Sequence, residues 1–212
     1  GYTLHTAQKD GGHHCCGRPY LAGGMVEEAK AKAGALIDAL LPLAEAGIAI
    51  VGLEPSCLLT LRDETLVMGF GAKAQTVAGQ ALLFEEFIAR EAKAGRFRLA
   101  LKPIDKPILL HGHCHQKAFG AVSPILDVLK LIPDAKPELI ESSCCGMAGS
   151  FGYEASHYEV SMQMAEASLL PVVRKNPDAI VVADGTSCRH QIADGTRREA
   201  IHVARLLSAQ LA

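Results

Sequence analysis

Two adjacent cysteines followed by glycine occur twice in this chain, at Cys15-Cys16-Gly17 and at Cys144-Cys145-Gly146. Each copy leads into a helical stretch, a short apolar run and one more cysteine in a Ser-Cys pair, Ser56-Cys57 and Ser187-Cys188. That last cysteine stands 41 residues after Cys16 in the first copy and 43 after Cys145 in the second. The halves are near-copies, and an internal repeat constrains the fold before anything else does. Adjacent cysteines hold their Cα atoms about 3.8 Å apart, below the roughly 4.4–6.8 Å window of an unstrained disulfide. Neither pair is therefore expected to close on itself. Two thiols side by side, with a glycine next that can take positive φ, suit a tight turn around a group bearing several metal atoms. A mononuclear zinc site more often spaces its cysteines by two to four residues. Buried or reactive thiols are the plainer alternative.

Composition narrows the setting. With 212 residues, 49% of them apolar, the chain has core enough for one large domain or two small ones. A formal net charge of −2 leaves no basic footprint for nucleic acid. No apolar run reaches the roughly eighteen residues of a membrane span. Seven cysteines, odd in number and partly adjacent, do not make a secreted disulfide framework. Reduced thiols and a cytoplasmic setting fit. The opening Gly1-Tyr2-Thr3-Leu4 has neither Met nor a leader pattern and reads as a longer protein entered partway.

Along the chain, residues 2–7 alternate as a strand and Asp10-Gly11-Gly12 turns into His13-His14-Cys15. Residues 25–46 are helix formers with Leu36, Leu40 and Leu43 on one stripe, and Gly47 is placed to end that helix. The apolar run 48–51 reads as a strand buried on both faces that delivers Glu54-Pro55-Ser56-Cys57. A helix over 76–94 is expected, with Leu82, Leu83, Phe87 and Ile88 inward and Gly95 closing it. Residues 102–106 carry Pro103 and mark a boundary between a first module, 1–102, and a second, 103–212. In the second, strands at 108–110, 139–140 and 179–183 alternate with helices at 124–132, 155–175 and 199–210. The alternation predicts an α/β fold: two pseudo-symmetric Rossmann-like βα repeats with parallel strands, the first truncated at its N-terminus.

Every cysteine follows a predicted strand, where α/β folds gather their ligand-binding loops. The second repeat thus offers four thiols from three loops, Cys114, Cys144, Cys145 and Cys188, the number an iron–sulfur cluster requires. The first offers Cys15, Cys16 and Cys57, and the counterpart of Cys114 would lie upstream of Gly1.

The stretches LEPSCLLTLRDE, HGHCHQKAFG, IESSCCGMAGSFGYE and VVADGTSCRHQI resemble the cysteine-rich CCG domain family of heterodisulfide reductase B subunits and glycolate oxidase iron–sulfur subunits. They are similar also to the C-terminal part of large FAD-linked oxidases acting on 2-hydroxy acids. The resemblance covers nearly the whole chain. It implies two pseudo-symmetric modules, a [4Fe–4S] cluster, and a role as electron-transfer partner of a flavin. It carries Cys114, Cys144, Cys145 and Cys188 onto the main metal site and Cys15, Cys16 and Cys57 onto an incomplete second one. Many members end the motif with Cys-x-x-Cys; here Cys188-Arg189-His190-Gln191 and Cys57-Leu58-Leu59-Thr60 have no second thiol. The implied partners are an FAD-binding dehydrogenase domain or subunit, which alone holds the FAD and a D-2-hydroxy acid such as lactate or glycolate, and a downstream electron acceptor.

Other residues weigh in less. In an extended segment His111, His113 and His115 share one face and Cys114 the other. The expectation is that one or two of them hydrogen-bond the loop, with a single imidazole standing in for a thiol as the alternative; His13 and His14 are open to the same argument. Arg189 and His190 offset thiolate charge or, for Arg189, serve as an ordinary surface cation. Met147, Met162 and Met164 read as core filling, and Asp184-Gly185-Thr186 and Asp194-Gly195-Thr196 as turns and N-caps. Gly146, Gly149 and Gly152 do not make a dinucleotide fingerprint and are expected to expose backbone N–H groups to sulfur. His157 and His202 receive no role. Two rival functions remain: a zinc-binding structural or interaction module, and a thiol–disulfide oxidoreductase using Cys144 and Cys145.

Overall fold

The computed structural model describes residues 1–7 and 13–212; the turn expected at Asp10-Gly11-Gly12 lies outside the described residues. The chain packs as two compact units, residues 1–52 with 56–82, and residues 53–55 with 83–212.

In the first unit α1 (Arg18–Ala22) follows the first Cys-Cys-Gly turn and α2 (Val26–Glu45) leads to β1 (Ile50–Gly52). Then come α3 (Pro55–Arg62), α4 (Glu64–Val67), α5 (Ala72–Gln80) and β2 (Ala81–Leu83), which pairs with β1. The buried stripe of α2 is Ala29, Ala33, Ile37, Leu40 and Ala44, spaced by three and four as a helix requires. It is rotated one residue from the leucine stripe read in the sequence, leaving Leu36 and Leu43 half-buried. The alanines decide the face because their small side chains let α5, with buried Ala74 and Val77, lie close. Gly47 ends the helix at φ 72° as expected. Residues 2–7 form no strand: residues 3–7 and 48–51 line a cavity of about 360 Å³ together with Leu40 and Leu43.

The second unit begins with α6 (Phe84–Lys93), then β3 (Ile108–Leu110), α7 (Cys114–Ala118), α8 (Ser123–Leu129) and β4 (Pro137–Leu139). After a 3-10 turn at Phe151–Tyr153 come α9 (Tyr158–Glu166), α10 (Leu169–Lys175) and β5 (Ile180–Val182). The chain ends with α11 (Thr186–Thr196), β6 (Ala200–Ile201) and α12 (Val203–Ala209). The sheet order is β4-β3-β5-β6, with every pairing parallel. Strand side chains alternate between faces, and both faces are covered. Leu109 and Val181 join Leu169, Leu170, Val173 and Ile192 on one side. Ile108, Leu110 and Val182 join Ile125, Leu129, Val203 and Leu206 on the other. Burying each such side chain contributes about 1.5–3 kcal/mol, and coverage on both faces explains why these strands read as unbroken apolar runs.

Three expected helices are interrupted. The 76–94 helix is split by β2, whose Leu83 is extended at φ −63°, ψ 152°. The 155–175 helix breaks at Ser168 (φ −155°), because Pro171 has no N–H to give Ala167 and its ring would clash there. The 199–210 helix begins only at Val203, since Ala200 and Ile201 pair with β5 instead.

Both Cys-Cys-Gly turns use their glycine for the same two reasons. Gly17 (φ 85°) and Gly146 (φ 93°) are left-handed, and each backbone lies against a helix. A Cβ on Gly17 would stand 2.5 Å from the carbonyl oxygen of Ala29; one on Gly146 would overlap the carbonyl of Ser161, 2.9 Å from its carbon. Gly149 is also left-handed (φ 71°), but nothing lies within 4 Å of its Cβ position. Gly146→Ala is expected to cost about 3 kcal/mol or more and Gly149→Ala about 1 kcal/mol. Thermal melts of the two variants check this, and equal midpoints would contradict it.

Candidate metal centre

Three loops leave neighbouring strand ends and carry four thiols. Cys114 is the first residue of α7 after β3, the vicinal pair Cys144-Cys145 follows β4, and Cys188 is the third residue of α11 after β5. No cysteine of the described residues is in a disulfide. Cys145 and Cys188 are buried, Cys144 is half-buried and Cys114 exposed. The four thiols act on one another in the order Cys114, Cys144, Cys145, Cys188. Contact with Cys144 holds the Cys114 thiol well above the usual thiol range, and contacts with Cys144 and then Cys188 do the same to Cys145. Cys144 and Cys188 are correspondingly drawn down, first by Cys114 and by Cys145 respectively. The turn adds amide donors: Gly146 N–H reaches Cys144 Sγ at 3.3 Å, Ala148 N–H also favours the Cys144 thiolate, and Met147 N–H serves Cys145. Amides of the Gly-rich stretch are thus turned on sulfur, with Gly146 the one glycine among them.

One imidazole joins the sulfurs. A ring nitrogen of His111 lies within 4.8 Å of Cys145 Sγ and Cys188 Sγ, which are as close to one another. The ring is 1% exposed, its Nδ1 meets Ser142 Oγ at 2.9 Å, and Nε2 has no oxygen or nitrogen partner. A buried polar nitrogen with none turned on thiols is a metal donor or an N–H donor to sulfur. His113 does structural work instead: its Nδ1 accepts from His115 N–H at 3.1 Å and caps α7. Four thiols and an imidazole are a donor set for a soft metal or an iron–sulfur group.

Behind the loops lies a buried polar knot. The Gln116 amide donates to Glu85 at 2.5 Å and to Asp184 at 3.0 Å, and its oxygen accepts from His113 N–H at 3.0 Å. Asp184 also accepts from Val203 N–H at 3.0 Å. It therefore caps α12 rather than the helix of its own loop, which corrects the local-turn reading. His202 donates from Nε2 to Leu53 O at 2.8 Å and accepts at Nδ1 from Ala204 N–H at 2.9 Å. With Nδ1 so used, the 3.5 Å approach of His202 to Asp184 is not a hydrogen bond. Burial first, and the Asp184 charge second, push the Glu85 carboxyl from 4.5 up to about 8.

The first unit repeats half of this arrangement. Gly17 N–H reaches Cys15 Sγ at 3.4 Å. Cys57 is the third residue of α3, the position Cys188 holds in α11. Contact with Cys57 is the main cause drawing the Cys16 thiol down to about 7. Cys16 is buried and Cys57 exposed.

Arg189 is no loose surface cation: it donates to Ala183 O at 3.1 Å, to Asp184 O and to Thr186 Oγ, fixing the backbone before Cys188. His190 meets Tyr153 Oη at 2.5 Å. Met147 fills core and Met162 packs on it, but Met164 is exposed. Asp194 lies in the last turn of α11, where Tyr158 Oη donates to it. Sequence reading passed over Lys117, Gln116, Glu85 and His202. The signal was present for Gln116, three residues after His113 as in a capping box.

A model of the CCG cysteine-rich domain matches residues 3–62 and 109–193. The chain is 28% identical over 200 residues to the C subunit of the anaerobic glycerol-3-phosphate dehydrogenase of Escherichia coli (strain K12), covering 93% of this chain and 50% of that protein. It is 28% identical over 201 residues to D-2-hydroxyglutarate dehydrogenase of Pseudomonas putida, covering 90% of this chain and 19% of that one. Lactate utilization protein A of Bacillus licheniformis is 23% identical over 211 residues, 94% of this chain and 84% of its own. The chain thus spans about half of the first relative and about a fifth of the second. No helix among the described residues is long and apolar enough to cross a membrane.

Glu85 keeps a proton in the folded chain that the unfolded chain releases, so stability falls as pH rises from about 4.5 to about 8 and levels beyond it. Glu85→Gln keeps the acceptor for Gln116 and removes the titration. The variant should melt at a midpoint that no longer declines across that window, gaining on the parent by an amount that grows toward pH 8. Parallel pH–midpoint curves would contradict this.

Proposed function

Because the chain belongs to the CCG cysteine-rich domain family, we propose that its second unit holds a [4Fe–4S] cluster on Cys114, Cys144, Cys145 and Cys188. In this reading the chain is the electron-transfer part of an FAD-linked dehydrogenase. The observation that carries it is the buried trio of His111, Cys145 and Cys188 within 4.8 Å of one another, with Cys144 and Cys114, from the other two loops, acting on the neighbouring thiols. A cluster held there supplies one-electron acceptance and release.

The chain's own residues hold, orient and shield. The amides of Gly146, Met147 and Ala148 favour sulfur as thiolate. The core side chains around Cys145 and Cys188 keep water from the inner sulfurs. Cys114, the exposed thiol of the four, marks the side from which electrons arrive. FAD and the substrate are assigned to the partner domain or subunit. The relatives' names, which speak of glycerol-3-phosphate dehydrogenase, D-2-hydroxyglutarate dehydrogenase and lactate utilization, support a small hydroxyl-bearing substrate, here a D-2-hydroxy acid of the lactate or glycolate type. Cys15, Cys16 and Cys57 form an incomplete second site.

One observation favours a second reading. His111, Cys145 and Cys188 within 4.8 Å of one another would also suit a zinc ion, which needs no sulfide.

Anaerobic reconstitution decides between them. Iron and acid-labile sulfide should appear together, with brown charge-transfer absorption, and Cys145→Ser should remove both. Cys57→Ser should leave them largely intact. Zinc without sulfide in protein isolated free of air would overturn the iron–sulfur reading.

A further inference from the structure

Lys117 stands one turn beyond Cys114 in α7, and its side chain is built into the loops rather than left in solvent. Its stem crosses Gly112, where a Cβ would stand 3.3 Å from Lys117 Cε and 3.6 Å from its Cγ. Beyond the glycine the ammonium donates to the carbonyl oxygens of Ser142 and Ser143, the latter at 2.7 Å, and reaches Ser142 Oγ at 3.4 Å. A lysine head has three N–H bonds to give. All three fall on the two residues directly before Cys144. Ser142 Oγ also meets His111 Nδ1 at 2.9 Å, so one contact joins the lysine, the loop and the imidazole that faces Cys145 and Cys188. Burial draws the Lys117 pKa below its usual value, against the opposing pull of Cys188, Cys114, Cys144 and Cys145.

We propose that Lys117 is a positioning residue of the metal centre: it fixes the Ser142–Ser143 backbone that presents the vicinal thiols, and brings a positive charge to the residues directly before them. This rests on the iron–sulfur reading above. A nearby cation favours the state carrying one more electron, by the same attraction that favours a thiolate beside an ammonium. Gln at this position can still donate to a carbonyl but brings no charge. Met removes charge and donors alike, and Arg restores both.

Wild type, Lys117→Arg, Lys117→Gln and Lys117→Met are reconstituted without air, assayed for iron and sulfide, and titrated electrochemically with an EPR readout. At a fixed poise, Lys117→Gln should lower the ratio of reduced to oxidised centre at least tenfold, which is 59 mV for a one-electron couple. Lys117→Met should also lose metal content, and Lys117→Arg should restore content and potential. If Gln and Met load and titrate as wild type does, the assignment of Lys117 falls while the iron–sulfur reading stands. If wild type itself takes up no iron, that reading falls and this inference with it. If neither Gln nor Met loads, Arg decides: wild-type content and potential support the proposal, and failure to load overturns it.

Discussion

A helix backbone presses on each Cys-Cys-Gly turn so closely that no side chain fits between them. In the second unit the pressing group is the Ser161 carbonyl of α9, which also accepts from the Gln191 amide of α11 at 3.0 Å. The left-handed glycine lets the chain reverse inside that gap, and the reversal directs successive amides toward the preceding sulfurs. Without it two adjacent thiols would point apart, as neighbours do in extended chain. The first unit has the same glycine, the same contact with a helix carbonyl at Ala29, and the same amide-to-sulfur geometry at Cys15. The repeat seen as letters is thus a repeat of one steric solution.

The sulfurs are brought together by strand ends, and the strand ends are tied by polar groups set behind them. Gln116 satisfies its whole amide on the backbone of His113 and on two carboxyl groups, Glu85 and Asp184. It links the loop after β3 to the loop after β5. A buried network of this kind specifies one arrangement because a lost partner leaves an unpaired group in low dielectric. The proton kept by Glu85 is what lets two carboxyl groups share one amide. Arg189 acts from the other side of the β5 loop, on the carbonyls of Ala183 and Asp184.

Much of this was legible in the sequence. The Cys-Cys-Gly repeat, the unbroken apolar strands at 108–110 and 180–182, and the α/β class all follow from local chemistry. What escaped did so for physical reasons. Ala81–Leu83 and Ala200–Ile201 are two or three residues long and sit among good helix formers, so only a neighbouring strand makes them strands. Pro171 was readable as a breaker and was absorbed into a helical period that ran past it. The alanine face of α2 was hidden by counting only large side chains. His111 could not be separated from His113 and His115 by spacing, because the chain leaves β3 as coil and enters α7 at Cys114. His113 and His115 instead pack edge to face, 5.2 Å between ring centroids, while His111 stands with Cys145 and Cys188. Lys117, Gln116 and Glu85 act across 25 to 68 residues of sequence, a distance at which no local pattern speaks.

The sheet order β4-β3-β5-β6 has one more consequence. Strands β3, β4 and β5 are neighbours in space but appear in the chain separated by helices, so the sulfurs they carry meet only after each crossover has docked. Long closures of that kind are slow steps in assembly. The four thiols therefore come together only after residue 188 has been made and the strand before it has seated. On the reading proposed above, a cofactor would enter a second unit already folded rather than an extended peptide.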